Sequence, residues 1–367
     1  MIVVHLAEYA SGGVSTYLKN LINAQIKESS ITKIYLIVSK YNSDPSLLAM
    51  RNQKLIIISY KYHRSMKGIW KILTLTKIVN EINPDILHLH SSFAGMIRLK
   101  LLWSSLKKRT IYCAHGWSFN RDISRTRKFI LKMIEAFLSL GCAKIVNISV
   151  FEDESSNFLS NNKRVMIYNS IPNKRIVEND NKEILQRKQI RLLFVGRLDE
   201  QKGIDLLLNA ISTPKFKRIF DLTVIGDNII GTFFKTFDRE NIHFVGWKNS
   251  QYISEALQNS DVLVIPSRWE GFGLVSLEAM RAQKMVIASD AGALPEIVEN
   301  EVTGLIFESG SANSLSKVLL RLSEYSNEVI KNMGIKGYER YNSTFNYKIM
   351  ISKIMTVYKQ VGRSSVN

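Results

Sequence analysis

The chain has 367 residues, 46% of them hydrophobic, and a mean hydropathy of −0.03. That length exceeds one typical core and predicts two domains. No apolar run is long enough to span a bilayer. Two cysteines, Cys113 and Cys142, are too few for a disulfide framework or a Cys-rich zinc site. The start, Met1 to Leu6, lacks a basic region and a cleavage site, so it reads as a buried strand rather than a signal peptide. These features predict a cytoplasmic protein with reduced thiols.

The formal charge of +18 is uneven: residues 1–175 carry 26 Lys+Arg against 10 Asp+Glu, and residues 176–367 carry 24 against 22. A basic half beside a near-neutral half predicts an anionic partner for the first half. Two basic segments mix cations with large apolar residues, Arg98–Arg109 and Arg121–Lys132. Each reads either as a membrane-surface helix or as a solvated basic face over a buried Leu stripe. Nucleic acid is disfavoured, because no binding motif accompanies the charge.

In chain order, Ile2–Ala7 predicts a strand, followed by a glycine loop and a helix from about Ser15. Strands follow at Ile34–Ser39 and Leu55–Ser59, then a helix over Ile69–Asn83 that Pro84 ends. Ile86–His90 and Thr110–Ala114 predict strands with a helix at Arg98–Lys108 between them; Ile145–Ile148 and Arg164–Tyr168 follow. Residues 173–190, with several Asn and dense charge, read as a linker. The alternation then restarts. Strands are predicted at Arg191–Val195, Leu222–Ile225, Ile242–Val245, Val262–Ile265 and Met285–Ala288. Helices fall at Ile204–Ile211, after Ile225, at Tyr252–Gln258 and at Leu274–Ala282, and the chain closes with an amphipathic helix at Tyr347–Val361. Apolar strands separated by helical segments predict two doubly wound parallel α/β domains, residues 1–172 and 191–345, plus the terminal helix, 346–367. Ligands in such sheets lie beyond the carboxyl ends of the strands.

The motifs fall there. Pro266-Ser-Arg-Trp-Glu-Gly-Phe-Gly273 leaves a strand and enters a helix, with Glu270 and Glu278 on either side of the glycines. A helix N-terminus binds anions, and glycines let a phosphate approach the backbone. Carboxylates on both sides can accept hydrogen bonds from hydroxyl pairs. A ligand with a phosphate centre and a sugar on each side, a nucleotide sugar, fits this pattern. The bland alternative is a surface helix with an incidental loop acid. In Phe194-Val-Gly-Arg-Leu-Asp-Glu-Gln-Lys-Gly203, Arg197 and Lys202 are placed to clamp a diphosphate, or are ordinary solvated charges. Gly12 and Gly13 permit close backbone approach but do not make a dinucleotide fingerprint. His115 follows a strand next to Gly116. His88 and His90 point to one side of a strand; packed core histidines are the stronger reading there than a metal pair, because no acidic third ligand is evident.

Glu270 and Glu278 stand in an E-x7-E pattern. With the Gly196–Gly203 run, the Gly12-Gly13 loop, Gly292–Val298 and Gly304–Phe307, the chain resembles retaining glycosyltransferases of family 4, which have the GT-B fold. The resemblance covers nearly the whole chain. It implies two Rossmann-like domains facing across a cleft, with the terminal helix crossing back to the first. It implies a nucleotide-diphosphate sugar, with UDP favoured over GDP, bound by the second domain. Arg197 and Lys202 would hold the diphosphate, Glu278 the ribose, and Glu270 the sugar hydroxyls. Phe272, Gly273, Leu274 and Val275 would supply backbone near sugar and phosphate, and Val245 and Gly246 would lie by the base. Gly12, Gly13 and His115 would approach from the first domain. The resemblance implies retention of anomeric configuration by front-face displacement, with no metal or other cofactor. The first domain would take a polyprenyl-diphosphate-linked glycan at the cytoplasmic face of the inner membrane, in bacterial surface-polysaccharide synthesis. A UDP-sugar 2-epimerase of the same fold and a non-catalytic sugar-binding protein are the alternatives. An epimerase would turn over donor without acceptor.

Overall fold

A computed structural model of the chain describes residues 1–62, 65–173, 189–227 and 240–362. It divides into two compact units, Met1–Pro172 together with Tyr347–Asn367, and Asn173–Asn346.

The first unit holds seven parallel strands: β1 (Ile2–Ala7), β2 (Lys33–Ser39), β3 (Leu55–Tyr60), β4 (Ile86–His90), β5 (Thr110–Cys113), β6 (Lys144–Asn147) and β7 (Arg164–Met166). Their order is β3-β2-β1-β4-β5-β6-β7. The strands are apolar because helices cover both faces, and Val4, Leu6, Ile37, Leu87, Leu89 and Ile145 lie in one core. The topological switch lies between β1 and β4, the position where such sheets open a ligand crevice. The terminal helix Tyr347–Val361 is part of this unit: Tyr347 Oη donates to the Asn20 carbonyl at 2.6 Å, and seven of its residues are buried.

The second unit holds β8 (Ile190–Val195), β9 (Phe220–Ile225), β10 (Ile242–Phe244), β11 (Val262–Ile265), β12 (Met285–Ser289) and β13 (Gly304–Phe307), all parallel. The order is β10-β9-β8-β11-β12-β13, so the switch lies between β8 and β11. Two of the motifs singled out in the sequence follow these two neighbouring strands.

Several boundaries differ from expectation for local reasons. The first helix begins at Gly12, not Ser15, and runs to Lys27. The helix expected over Ile69–Asn83 divides into Met66–Thr74 and Thr76–Ile82. Thr74 and Thr76 bond back to the carbonyls of Lys71 and Leu73, which competes with a continuous ladder. The helix expected over Arg98–Lys108 is a single turn, Arg98–Leu101, then a 3-10 turn, Ser105–Arg109, started by the Ser104 side chain accepting from Leu106 N. Arg98 is fully buried and paired with Glu135 at 2.6 Å, so it belongs to no solvated basic face. The linker expected over 173–190 falls mostly on 174–188, outside the described residues, as does the helix expected after Ile225, on 228–239.

Candidate active site

Two loops of the second unit meet because β8 and β11 are neighbours. The first, Gly196–Gly203, leaves β8; the second, Pro266–Gly273, leaves β11 and starts the helix Leu274–Arg281. Gly203 has φ +63°, and a Cβ there would fall 1.9 Å from the Pro266 carbonyl oxygen. Gly292, after β12, has φ +60°, and a Cβ there would fall 2.0 Å from the Glu270 carbonyl oxygen. Only glycine satisfies both the left-handed backbone and the close approach. Glu270 is thus held between the loops that follow β8 and β12.

Side chains complete the arrangement. Lys202 Nζ donates to Glu270 Oε2 at 2.5 Å, Ser267 Oγ donates to the same oxygen at 3.2 Å, and Gly271 N donates to Oε1. The pair is mostly buried, 21% and 10% exposed at the side chains. Arg268 grips Asp205 with both terminal nitrogens, at 2.8 and 2.6 Å, and donates to the Glu200 carbonyl. Burial opposes ionisation of Asp205, but the Arg268 bond and charge, together with backbone hydrogen bonds, outweigh it and hold the carboxyl below its usual range. Arg197 is half-exposed, bonded to Gln201 at 2.7 Å and paired with Asp199 at 3.0 Å. The exposed guanidinium and the Lys202 ammonium therefore sit on one strand-end loop, beside a helix N-terminus begun by Gly273. Such a place suits a polyanion.

The remaining candidates of this unit take different positions. Phe272 is buried against Phe345, and Leu274 is also buried, so these two can offer a ligand only backbone. Val275 and Glu278 are partly exposed on the helix Leu274–Arg281. Val245 and Gly246 follow the edge strand β10, with Val245 N bonded to the Val224 carbonyl.

In the first unit, Gly12 and Gly13 are exposed at the start of the helix Gly12–Lys27, and its N-cap, Ser11, makes no side-chain cap. That leaves first-turn amides open to an anion. His115, with φ +54°, packs against Tyr17 of the same helix at a ring distance of 4.6 Å. Burial pulls the His115 imidazole down to about 3, so it is neutral near pH 7. Behind it lies a buried histidine cluster. His90 Nδ1 meets His115 Nε2 at 3.0 Å, His5 Nδ1 meets His90 Nε2 at 3.0 Å, and His5 Nε2 meets Gln25 Oε1 at 2.8 Å. His88 Nδ1 meets the Tyr358 hydroxyl at 2.8 Å. Burial lowers all three interior histidines, His5 to about 4 against the Gln25 bond that raises it. His88 and His90 are core histidines, joined by His5 from β1, with ligand nitrogens of the three within 4.8 Å of one another. Hydrogen bonds already engage these rings, and among the described residues no carboxylate joins the group.

A model described as Glycosyltransferase Family 4 matches residues 11–173, and one described as Glycosyl transferases group 1 matches residues 176–340. An uncharacterised 41.2 kDa protein in the cps region of Klebsiella pneumoniae is 30% identical, covering 87% of this chain and 89% of the relative. The chain belongs to glycosyltransferase family 4. It is a glycosyltransferase and, by its relatives, of the surface-polysaccharide type. An Escherichia coli relative named UDP-Gal:alpha-D-GlcNAc-diphosphoundecaprenol alpha-1,3-galactosyltransferase is 23% identical over 80% of each chain. Among solved structures, sucrose-phosphate synthase from Thermosynechococcus elongatus superposes with a TM-score of 0.82 at 19% identity, covering 98% of this chain and 99% of that one. The fold of this glycosyltransferase is therefore GT-B.

Sequence reading missed several residues that the glycosyltransferase brings to these loops: Arg268, Asp205, Gln201, Ser267, and in the first unit His5, Gln25, Tyr17 and Tyr358. Arg268 lies just ahead of Glu270 and the E-x7-E motif and is legible as a charge, but its partner Asp205 is 63 positions away. His5 sits directly across from His88 in the β1–β4 register, a pairing that only the strand order reveals.

Proposed function

We propose that this glycosyltransferase transfers a sugar, with retention, from a nucleotide-diphosphate sugar to a lipid-linked glycan. The observation that carries the reading is the Lys202–Glu270 pair, which joins the β8 cation loop to the β11 glycine turn at a helix start. A diphosphate placed there is met by Lys202, Arg197 and the amides around Gly273 and Leu274. Glu270, next to Lys202, is placed to accept from donor-sugar hydroxyls, and Glu278, on the following helix, from the ribose. Phe272 and Val275 contribute backbone, and Val245 and Gly246 lie by the base. Lys202 and Arg197 stabilise charge on the leaving diphosphate without a metal ion. The leaving phosphate then takes the acceptor proton on the face it departs from. UDP is the expected nucleotide, and the relative that uses UDP-Gal and a diphosphoundecaprenol acceptor supports both donor and acceptor class.

A thermal-shift panel with UDP, GDP, ADP and NAD in EDTA tests the donor site. One nucleoside diphosphate is expected to raise Tm in the wild type and to lose at least half of that shift in Arg197→Ala. A response to NAD alone, or equal responses in both proteins, would sink the clamp.

The basic first unit is proposed to work at an anionic, cytoplasmic membrane surface. No helix among the described residues is long and apolar enough to cross a bilayer. The helix Arg125–Leu138, however, buries only Glu135 and Leu138. Phe129, Ile130, Met133, Ile134 and Phe137 are 41–65% exposed on it, and Leu140 just beyond is 57% exposed. Exposed Arg121, Arg125 and Arg127 flank this stripe. An apolar stripe rimmed by arginines fits the headgroup–acyl boundary, where each cation adds about 1 kcal/mol. Sedimentation with vesicles containing phosphatidylglycerol is expected to show binding that falls at least ~10-fold in Phe129→Glu/Phe137→Glu, since each buried phenyl is worth about 2 kcal/mol. Indifference of the wild type to such vesicles at physiological salt would remove the membrane part and leave the donor site standing.

A further inference from the structure

Two strand-end loops of the second unit are stapled together around Gln201. Arg268 N, on the loop after β11, donates to the Gln201 carbonyl at 2.8 Å, and Arg268 Nη1 donates to the Glu200 carbonyl at 3.0 Å. The bidentate bond from Arg268 to Asp205 fixes that guanidinium to the first turn of the helix Ile204–Ile211. In the other direction, Gln201 Nε2 donates to the Trp269 carbonyl at 3.3 Å. The backbones at 200–201 and 268–269 are therefore joined from both sides.

The Gln201 side chain makes one more bond. Its Oε1 accepts from Arg197 Nη2 at 2.7 Å. A guanidinium only donates and a peptide carbonyl only accepts, so the Gln201 amide fits one way round. Arg197 is 46% exposed, and a long exposed side chain loses much rotamer freedom when a ligand orders it. Its other partner, Asp199, also meets Nη2, at 3.0 Å, and lies on the same loop as Arg197. Among the described residues, then, Gln201 alone links this guanidinium to the loop that carries Glu270, and Arg197 Nη1 and Nε are not engaged.

We propose that Gln201 is a positioning residue that acts through Arg197, holding the guanidinium in register with the β11 loop so that the donor diphosphate meets a preordered cation. The proposal rests on the donor-site reading above. Gln201 does not itself touch the donor. Arg268 supports the arrangement by fixing the stretch of backbone whose carbonyl, at Trp269, anchors the amide. A cation ordered in advance binds an anion more tightly than the same cation on a free side chain, because less freedom is lost on binding.

Calorimetry with UDP on wild type, Gln201→Met, Arg197→Ala and the double variant tests this as a cycle. Met keeps the length of Gln and removes both side-chain bonds. Gln201→Met is expected to weaken UDP by about 5-fold, the worth of one hydrogen bond, and Arg197→Ala by about 10-fold or more. The double variant is expected to bind no more weakly than Arg197→Ala, because nothing is left for Gln201 to position. Losses that multiply in the double variant would mean that Gln201 meets the ligand directly, and full affinity in Gln201→Met would mean that it does nothing for the site; either result overturns the proposal. If Gln201→Met does not fold, Gln201→Ala takes its place. A second arm needs no ligand: 15N relaxation at the Arg197 Nε–H, assigned by its absence from Arg197→Ala. Its order parameter is expected to fall by about a third in Gln201→Met, the span between rigid and flexible N–H groups. An unchanged value would overturn the positioning. Failure of wild type to bind UDP, or full affinity in Arg197→Ala, would sink the donor-site reading, while the relaxation would still decide whether Gln201 holds Arg197.

Discussion

Lys202→Ala is expected to lower transfer by about 10²–10³-fold, the usual effect of removing one preorganised charge stabiliser. The loss falls on kcat, because the ammonium is needed most as charge develops on the leaving diphosphate. The same substitution strands Glu270, 10% exposed at its side chain, opposite no cation. It is therefore expected also to destabilise the second unit, by roughly 1–3 kcal/mol. These two effects separate in the double variant Lys202→Ala/Glu270→Gln. A neutral amide needs no counter-ion, so stability returns toward wild type while activity stays low. Single-turnover transfer and urea unfolding measured on the same three proteins provide the check. Wild-type kcat in Lys202→Ala would mean that the pair is only a loop fastener.

Acid is expected to unfold the first unit well before the second. His5, His88 and His90 are fully buried and held neutral, below their ordinary value of 6.5, primarily by burial. The unfolded chain takes up protons at these positions below pH 6.5, and the folded chain does not until about pH 4 for His5. Folding stability is therefore full above pH 6.5 and is lost as the pH falls from 6.5 toward 4. Between pH 7 and 5 each such histidine costs about 2 kcal/mol by linkage, so the three together cost on the order of 5 kcal/mol. That is a large share of the ~5–15 kcal/mol a domain commonly has. Hydrogen exchange at pH 7, 6 and 5 is the suitable readout, because two units need not unfold together. Amides of β1 and β4 should lose protection, corrected for intrinsic exchange, while those of β11 and β12 hold. Equal protection of β1 and β4 at pH 7 and pH 5 would contradict the neutral, buried state of these rings.

Much of the candidate site was readable because its parts are local. Arg197, Lys202, Glu270 and Glu278 each stand within a few residues of an apolar strand and a glycine, and a strand end, a glycine turn and a helix start are written in consecutive residues. The helix interruptions were less legible. Thr74, Thr76 and Ser104 act through side-chain bonds to the backbone that compete with a ladder of similar strength. Arg98 was misread for a different reason. Its segment has the composition of a surface helix, and only Glu135, 37 positions on, makes burial of the charge affordable.

The sequence by itself determined the two parallel sheets, the terminal helix and the strand-end motifs, because hydrophobic period and glycine placement are properties of neighbouring residues. The tertiary structure decided which motifs meet. It set β8 beside β11, so that Lys202 reaches Glu270 across 68 positions, and it placed Gly292 under the Glu270 backbone. It also set β1 beside β4, gathering His5, His88 and His90, and it returned Tyr358 to Gln25 across 333 positions. A parallel sheet pairs strands through crossovers, so its neighbours are distant in sequence, and no local spacing encodes the distance between them.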